Sequence, residues 1–200
     1  MKAKILQTAT DLFLNYGFKS VTMDDIADNL GISKKTIYQH YKNKTKLVEA
    51  TVMNTFDFIN KNIDAICALN KNPIEEAYEI ENFIQAHLKE EKTSSQYQLK
   101  KYYPKIFNTL YKMQFESITS CVSDNLSRGV TMNLYRADID IDFIAKLFFN
   151  TMISLKNQEL FPLKHYSVNT LMNNYLEYHL RAICTPKGIR ILCNVINKQM

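Results

Sequence analysis

The chain has two hundred residues, 46% of them hydrophobic, with only four glycines and four prolines, which excludes a disordered segment and an all-β chain of many turns. Its net charge of +5 is uneven: residues 1–50 hold eight lysines against five acids, while the rest carries seventeen basic groups against fifteen acidic ones. A cationic N-terminal end on a mostly neutral helical chain points to an anionic partner at that end.

Apolar residues at helical spacing (Ile5, Leu6, Ala9, Leu12, Phe13) predict a first helix over Lys2–Tyr16, stopped by Gly17. Lys2 and Lys4 on it are candidates for backbone phosphates. Phe18 and Val21 lead, as packing residues, into the most informative stretch, Thr22 to Lys46. Thr22 is placed to cap a second helix, and Asp25 three residues on completes a capping-box pattern. Met23, Ile26, Ala27 and Leu30 form one apolar face. Gly31 follows where a left-handed residue is needed. Ser33 caps a third helix whose inner side is Ile37 and Tyr41. Two short helices joined by a tight turn make a helix-turn-helix, whose second helix enters the major groove of DNA.

From Ser33 to Lys46 there are five lysines and no acid. Lys34 and Lys35 oppose the helix dipole at its N-terminal end, a cost of roughly 0.3–1 kcal/mol each that folding alone does not explain. They are the expected base readers, since lysine pairs with guanine O6 and N7, together with Thr36 and Gln39, the latter bidentate to adenine. Thr22 offers a hydroxyl at a helix N-terminus to a phosphate. A solvated basic face is the alternative, and the complete motif around these lysines argues against it.

A fourth helix is expected from Lys44, capped by Asn43, to about Ala68, packed along its length by Leu47, Val48, Thr51, Phe56, Ile59, Ile63 and Ile66. Pro73 opens a fifth, ending near Glu91. Lys92–Gln98 reads as a polar break. Pro104 precedes a sixth over Lys105–Arg128, with Gly129 as its stop. Thr131–Asp140 connects to helices near Ile141–Leu160 and Val168–Cys184, the latter capped by Ser167. A short last helix runs from Thr185-Pro186 to about Asn197.

The four cysteines (Cys67, Cys121, Cys184, Cys193) lie far apart with no CxxC pair, and read as reduced core residues. Neither a metal nor a cofactor is expected. There is no HExxH, no Gly-rich phosphate loop and no GxSxG, so an enzyme is not expected either. No export signal or membrane-length apolar run is present, which points to the cytoplasm.

The stretch from Ala3 to about Val52 resembles the N-terminal domain of the tetracycline-repressor family. The resemblance rests on Gly17, Thr22, Ile26, Ala27, Gly31, Tyr38, Tyr41 and Lys44 at gapless spacing, and on the run TIYQHYKNK. It implies an all-α protein: a helix-turn-helix DNA-binding domain over residues 1–46 and a helical ligand-binding and dimerisation domain over 47–200. It further implies phosphate contacts from Tyr38, His40 and Lys44. One departure stands out: some members read a base with a cation early in the second helix, where this chain has Asp24.

The resemblance also gives the body a role. Aromatics and methionines are dense from Tyr97 to Phe115 and from Phe143 to Met152. Such side chains build ordinary cores or adaptable pockets. With the resemblance, Tyr103, Phe107, Tyr111, Phe148 and Met152 become candidate lining for a small, largely apolar ligand. The last two long helices would pair with their copies in a homodimer through Ile144, Phe148, Thr151, Leu155, Leu171, Tyr175 and Tyr178. The function expected is a ligand-released homodimeric repressor on a near-palindromic operator. The alternatives are a constitutive DNA-binding dimer with no inducer, an activator, and an interaction protein that no longer binds DNA.

Overall fold

A computed structural model describes residues 1–87, 95–157, 159–162 and 164–197, with only the backbone at 95 and 96. Its helices are α1 Lys2–Tyr16, α2 Met23–Leu30, α3 Lys34–His40, α4 Lys44–Cys67, α5 Pro73–His87, α6 Ser95–Tyr102, α7 Pro104–Thr131, α8 Ile141–Ser154, α9 Val168–Ile183 and α10 Pro186–Asn197. Among the described residues no helix is long and apolar enough to cross a membrane. Two compact units emerge: residues 1–61 with 91–113, and residues 62–90 with 114–200.

The first unit is built on the spacing of its apolar residues. Ile5, Ala9 and Phe13 of α1 meet Ile26 and Ala27 of α2, Ile37 of α3, and Leu47 and Val48 of α4 in one buried cluster. Leu99 of α6 and Ile106 of α7 join the same cluster. Helix α4 buries Leu47, Val48, Thr51 and Val52, whereas Phe56, Ile59, Ile63 and Ile66 are only half-buried. Packing is therefore tight over its first half and looser beyond, not uniform as its sequence predicts.

Helix α6 corrects the expected polar break. Residues 92–94 lie outside the described residues, but Ser95–Tyr102 is helical. Its composition conceals one buried anchor, Leu99, 3% exposed, among good helix formers such as glutamine and lysine. A single anchor gives no periodic signal. The expected end of α5 near Glu91 also falls outside the described residues.

The second unit has its own core: Ile74 and Tyr78 of α5, Leu126 of α7, Ala145 of α8, Leu176, Leu180 and Ile183 of α9, and Leu192 of α10. The connector Leu134–Tyr135 is buried within it. It is held by Arg136 N–H donating to the Ile183 carbonyl (2.8 Å) and Thr185 N–H donating to the Leu134 carbonyl (2.9 Å). Gly129 does not stop α7, which continues to Thr131. It is a point of close approach, since a Cβ there would lie 2.0 Å from Cδ2 of Tyr135. The Tyr135 hydroxyl donates to Asn125 (3.1 Å), whose amide donates to Glu76 Oε1 (2.9 Å). Glu76 is wholly buried and paired with Arg128.

Helix α8 stops at Ser154, short of the expected Leu160. Asn157 explains the early end: its side chain accepts the Glu159 N–H (3.0 Å) and its carbonyl accepts the Leu160 N–H (3.1 Å), a local turn that competes with helix. Of the cysteines, Cys184 is buried and the other three are half-buried. Burial pushes the Cys121 thiol up to about 12.

Candidate nucleic-acid interface

The turn between α2 and α3 is fixed from both ends. Thr22 and Asp25 form a reciprocal capping box: the Asp25 N–H donates to Thr22 Oγ1 (3.1 Å), and Asp25 Oδ2 accepts the Thr22 N–H (2.7 Å) and hydroxyl (2.8 Å). Those bonds, the backbone one foremost, hold the Asp25 carboxyl below its usual range. Gly31 closes α2 at φ 63, ψ 35, a left-handed conformation that costs other residues roughly 1–2 kcal/mol. The Ile32 N–H then returns to the Ala27 carbonyl (3.0 Å).

Ser33 opens α3, accepting the Thr36 N–H at 3.2 Å. Ile37 and Tyr41 are 0% and 5% exposed, so the inner side of α3 is locked in the core. Lys35, Tyr38, Gln39 and His40 are exposed as a consequence, while Thr36 is half-buried with its hydroxyl 2.9 Å from that of Ser33. The structure thus puts Lys35, Gln39, Tyr38 and His40 together on the exposed side of one helix.

Three expected contacts are already engaged. Lys34 Nζ donates to Asp24 Oδ2 at 2.8 Å, an exposed ion pair between α2 and α3. That bond raises the Lys34 ammonium above its usual range. Asp24 is therefore not a bare repulsive charge, and Lys34 reaches a base only by leaving it. The sequence held the signal, an acid ten positions before a lysine, but pairing across a turn has no fixed spacing. Lys44 is the second: half-buried, it donates to the Lys19 carbonyl (3.2 Å) and lies 5.9 Å from the centre of the Phe13 ring. Burial lowers its pKa, opposed by nearby Asp25. The Thr22 hydroxyl proton goes to Asp25, which leaves its oxygen committed as well.

The remaining candidates divide between the two units. In the first, Tyr103 stacks edge-on against Phe18 (6.4 Å) and Phe107 lies against Tyr111 (6.1 Å); Tyr103 and Phe107 pack on the core of the helix-turn-helix. In the second, Phe148 meets the rings of Tyr175 (5.4 Å) and His179 (5.0 Å), with Met152 half-buried on the same helix. His179, unremarked in the sequence, is pushed down to about 4 by burial. Ile144, Thr151, Leu155 and Leu171 are half-buried. Tyr178 is 72% exposed, and so are Phe143 (58%) and Leu147 (45%) on α8.

Charge follows the same division more sharply than sequence order suggests. The first unit carries fourteen lysines against seven acids, net +7, and the second eleven basic groups against thirteen acids, net −2. The basic excess belongs entirely to the unit that holds the helix-turn-helix.

Comparison with known proteins agrees. Residues 5–51 match the family model of bacterial regulatory proteins, tetR family. Over 72 residues the chain is 36% identical to the biofilm operon icaADBC HTH-type negative transcriptional regulator IcaR of Staphylococcus aureus, a match spanning 36% of this chain and only 37% of that relative's length. Among solved structures, a TetR-family transcriptional regulator from Agrobacterium tumefaciens superposes at TM-score 0.73 with 17% identity, covering 92% of this chain and 97% of the other. A regulator from Saccharomonospora viridis in complex with choline gives 0.73 with 20% identity and the same coverage. Residues 5–51 are thus similar in sequence to the tetR family of bacterial regulatory proteins, and the fold is similar to those solved structures over 92% of the chain.

Proposed function

We propose that this chain is a sequence-specific transcriptional repressor that binds a near-palindromic operator in the cytoplasm as a homodimer and leaves it when a small molecule occupies the body. The observation that carries the reading is α3: its inner side is locked in the core while Lys35, Tyr38, Gln39 and His40 face outward from a unit of net charge +7. A helix so presented is what a major groove accepts. Lys35 and Gln39 read bases, and Lys34 and Thr36 assist once their local bonds open. Tyr38, His40, Thr22 and Lys44 hold the backbone. We assign this work to residues 1–46 and the binding of ligand and second copy to 47–200.

Repression is favoured over activation because the Staphylococcus relative is a negative regulator. Ligand response draws on the choline bound by the Saccharomonospora protein, which has the same fold. In this chain the ligand would lie in the second unit beside Phe148 and Met152, and would act by preferring the conformation that holds operator poorly. Phe143, Leu147 and Tyr178, apolar and exposed, favour pairing of α8 and α9 with a second copy. Genomic footprinting of the purified protein tests the reading: a protected inverted repeat near a promoter is expected, and the absence of any preferred site overturns it.

A further inference from the structure

The first unit contains a basic surface that the helix-turn-helix does not use. Helix α6 and the start of α7, Ser95 to Met113, hold four lysines and no acid. Leu99 and Ile106 anchor this segment in the core of the helix-turn-helix. Gln98 fastens it to the turn after α1, its Oε1 accepting the Lys19 N–H at 3.0 Å. The outer side is left exposed, with Lys100, Lys101 and Tyr102 on it. Two ammonium groups from different elements converge on one ring there: Lys19 Nζ is 5.2 Å from the centre of Tyr102, and Lys101 Nζ is 5.6 Å from it. Lys101 also donates to the Tyr97 hydroxyl at 3.4 Å.

An aromatic face attracts a cation by about 0.5–1 kcal/mol at an exposed site but neutralises nothing. Among the described residues none of Lys19, Lys100, Lys101 and Lys105 is paired with a carboxylate, although Lys34, Lys46, Lys71 and Lys146, also exposed, each are. Two like charges drawn to one ring without a counter-ion make an anion site in waiting. Its position names the anion. The Lys19 carbonyl is the acceptor for Lys44, and Thr22, the cap of α2, follows three residues later. The cluster is thus continuous with the edge already assigned to phosphates.

We propose that Lys19 and Lys101, held together by Tyr102, form a second phosphate clamp. It would bring α6, a helix outside the DNA-binding motif, onto the operator backbone. The proposal rests on the DNA-binding reading above. Phosphates carry affinity but no sequence, so the clamp would strengthen binding to every duplex alike and leave base preference to α3.

The test is ethylation interference together with the salt dependence of binding to the footprinted operator, for the wild type, Lys101→Gln, Lys19→Gln and the control Lys112→Gln, an exposed lysine outside the cluster. The clamp predicts phosphates whose ethylation blocks the wild type and Lys112→Gln but is tolerated by both cluster variants. It also predicts a log–log salt slope shallower by about 0.9 for each phosphate no longer neutralised. Interference patterns and slopes identical in all four proteins would overturn it. A wild type that binds no operator at all would overturn the DNA-binding reading itself, and the clamp with it.

Discussion

At the scale of single residues, the two adjacent lysines of α3 have become unequal. Lys34 is engaged with Asp24 at 2.8 Å, while Lys35 is exposed with no such partner among the described residues. Replacing Lys35 with alanine is expected to relax base preference by about 1–3 kcal/mol at the base it reads. Replacing Lys34 should cost less, because the wild-type lysine must first break an ion pair, and Asp24→Asn should tighten binding by freeing it. Competition binding with single-base operator variants reads all three. Equal losses for Lys34 and Lys35 would show that the ion pair dissolves on DNA. The bounds of α1 and α2, the capping box and the burial of Ile37 and Tyr41 were legible in the sequence, because each depends on residues at most four apart. The Lys34–Asp24 pair and the burial of Lys44 against Phe13 were not, because they join different helices.

At the scale of elements, sequence reading failed where a residue type has two structural uses. Gly129 has the signature of a helix stop, yet α7 passes through it and Tyr135 fills the space a Cβ would take. Gly129→Ala is expected to destabilise the second unit by roughly 1–3 kcal/mol through that clash. Glu76 was unremarkable as one of two acids opening α5, which suits a helix N-terminus. It is instead a buried carboxylate bound by Arg128 and Asn125, with Oε2 unbonded. Arg128→Met leaves that carboxylate without its cation and is expected to cost roughly 3–5 kcal/mol, less if water follows the half-exposed arginine's path. Chemical denaturation of each variant measures both losses. An unchanged midpoint for Arg128→Met would mean that the guanidinium does not compensate the buried carboxylate.

At the scale of the whole molecule, stability and DNA binding answer to different charges. His179, between Phe148 and Tyr175, titrates at about 4 in the folded chain instead of 6.5 because burial disfavours its cation. The unfolded chain therefore takes up this proton first. Stability from this group is intact above pH 6.5 and declines as pH falls towards 4, by on the order of 3 kcal/mol in all. His179→Phe should flatten that segment of the stability profile, and an unchanged profile would place the titration elsewhere. The proposed operator binding draws on the other unit, whose net +7 includes Lys100, Lys101 and Lys105 of the α6–α7 segment, more than fifty residues past the motif in sequence. Chain order hides that charge: counted along the sequence the excess looks modest, and the packing of Leu99 and Ile106 brings it into the unit that holds α3.

On the function proposed, this cationic unit seats α3 in DNA as one of a symmetric pair. The most direct measurement is the affinity of the purified chain for its own upstream region at about 50 and 200 mM salt. Neutralisation of roughly 6–10 phosphates predicts a fall of about 10³–10⁵-fold across that range. An affinity that hardly moves with salt, or no retained complex at either concentration, would contradict it.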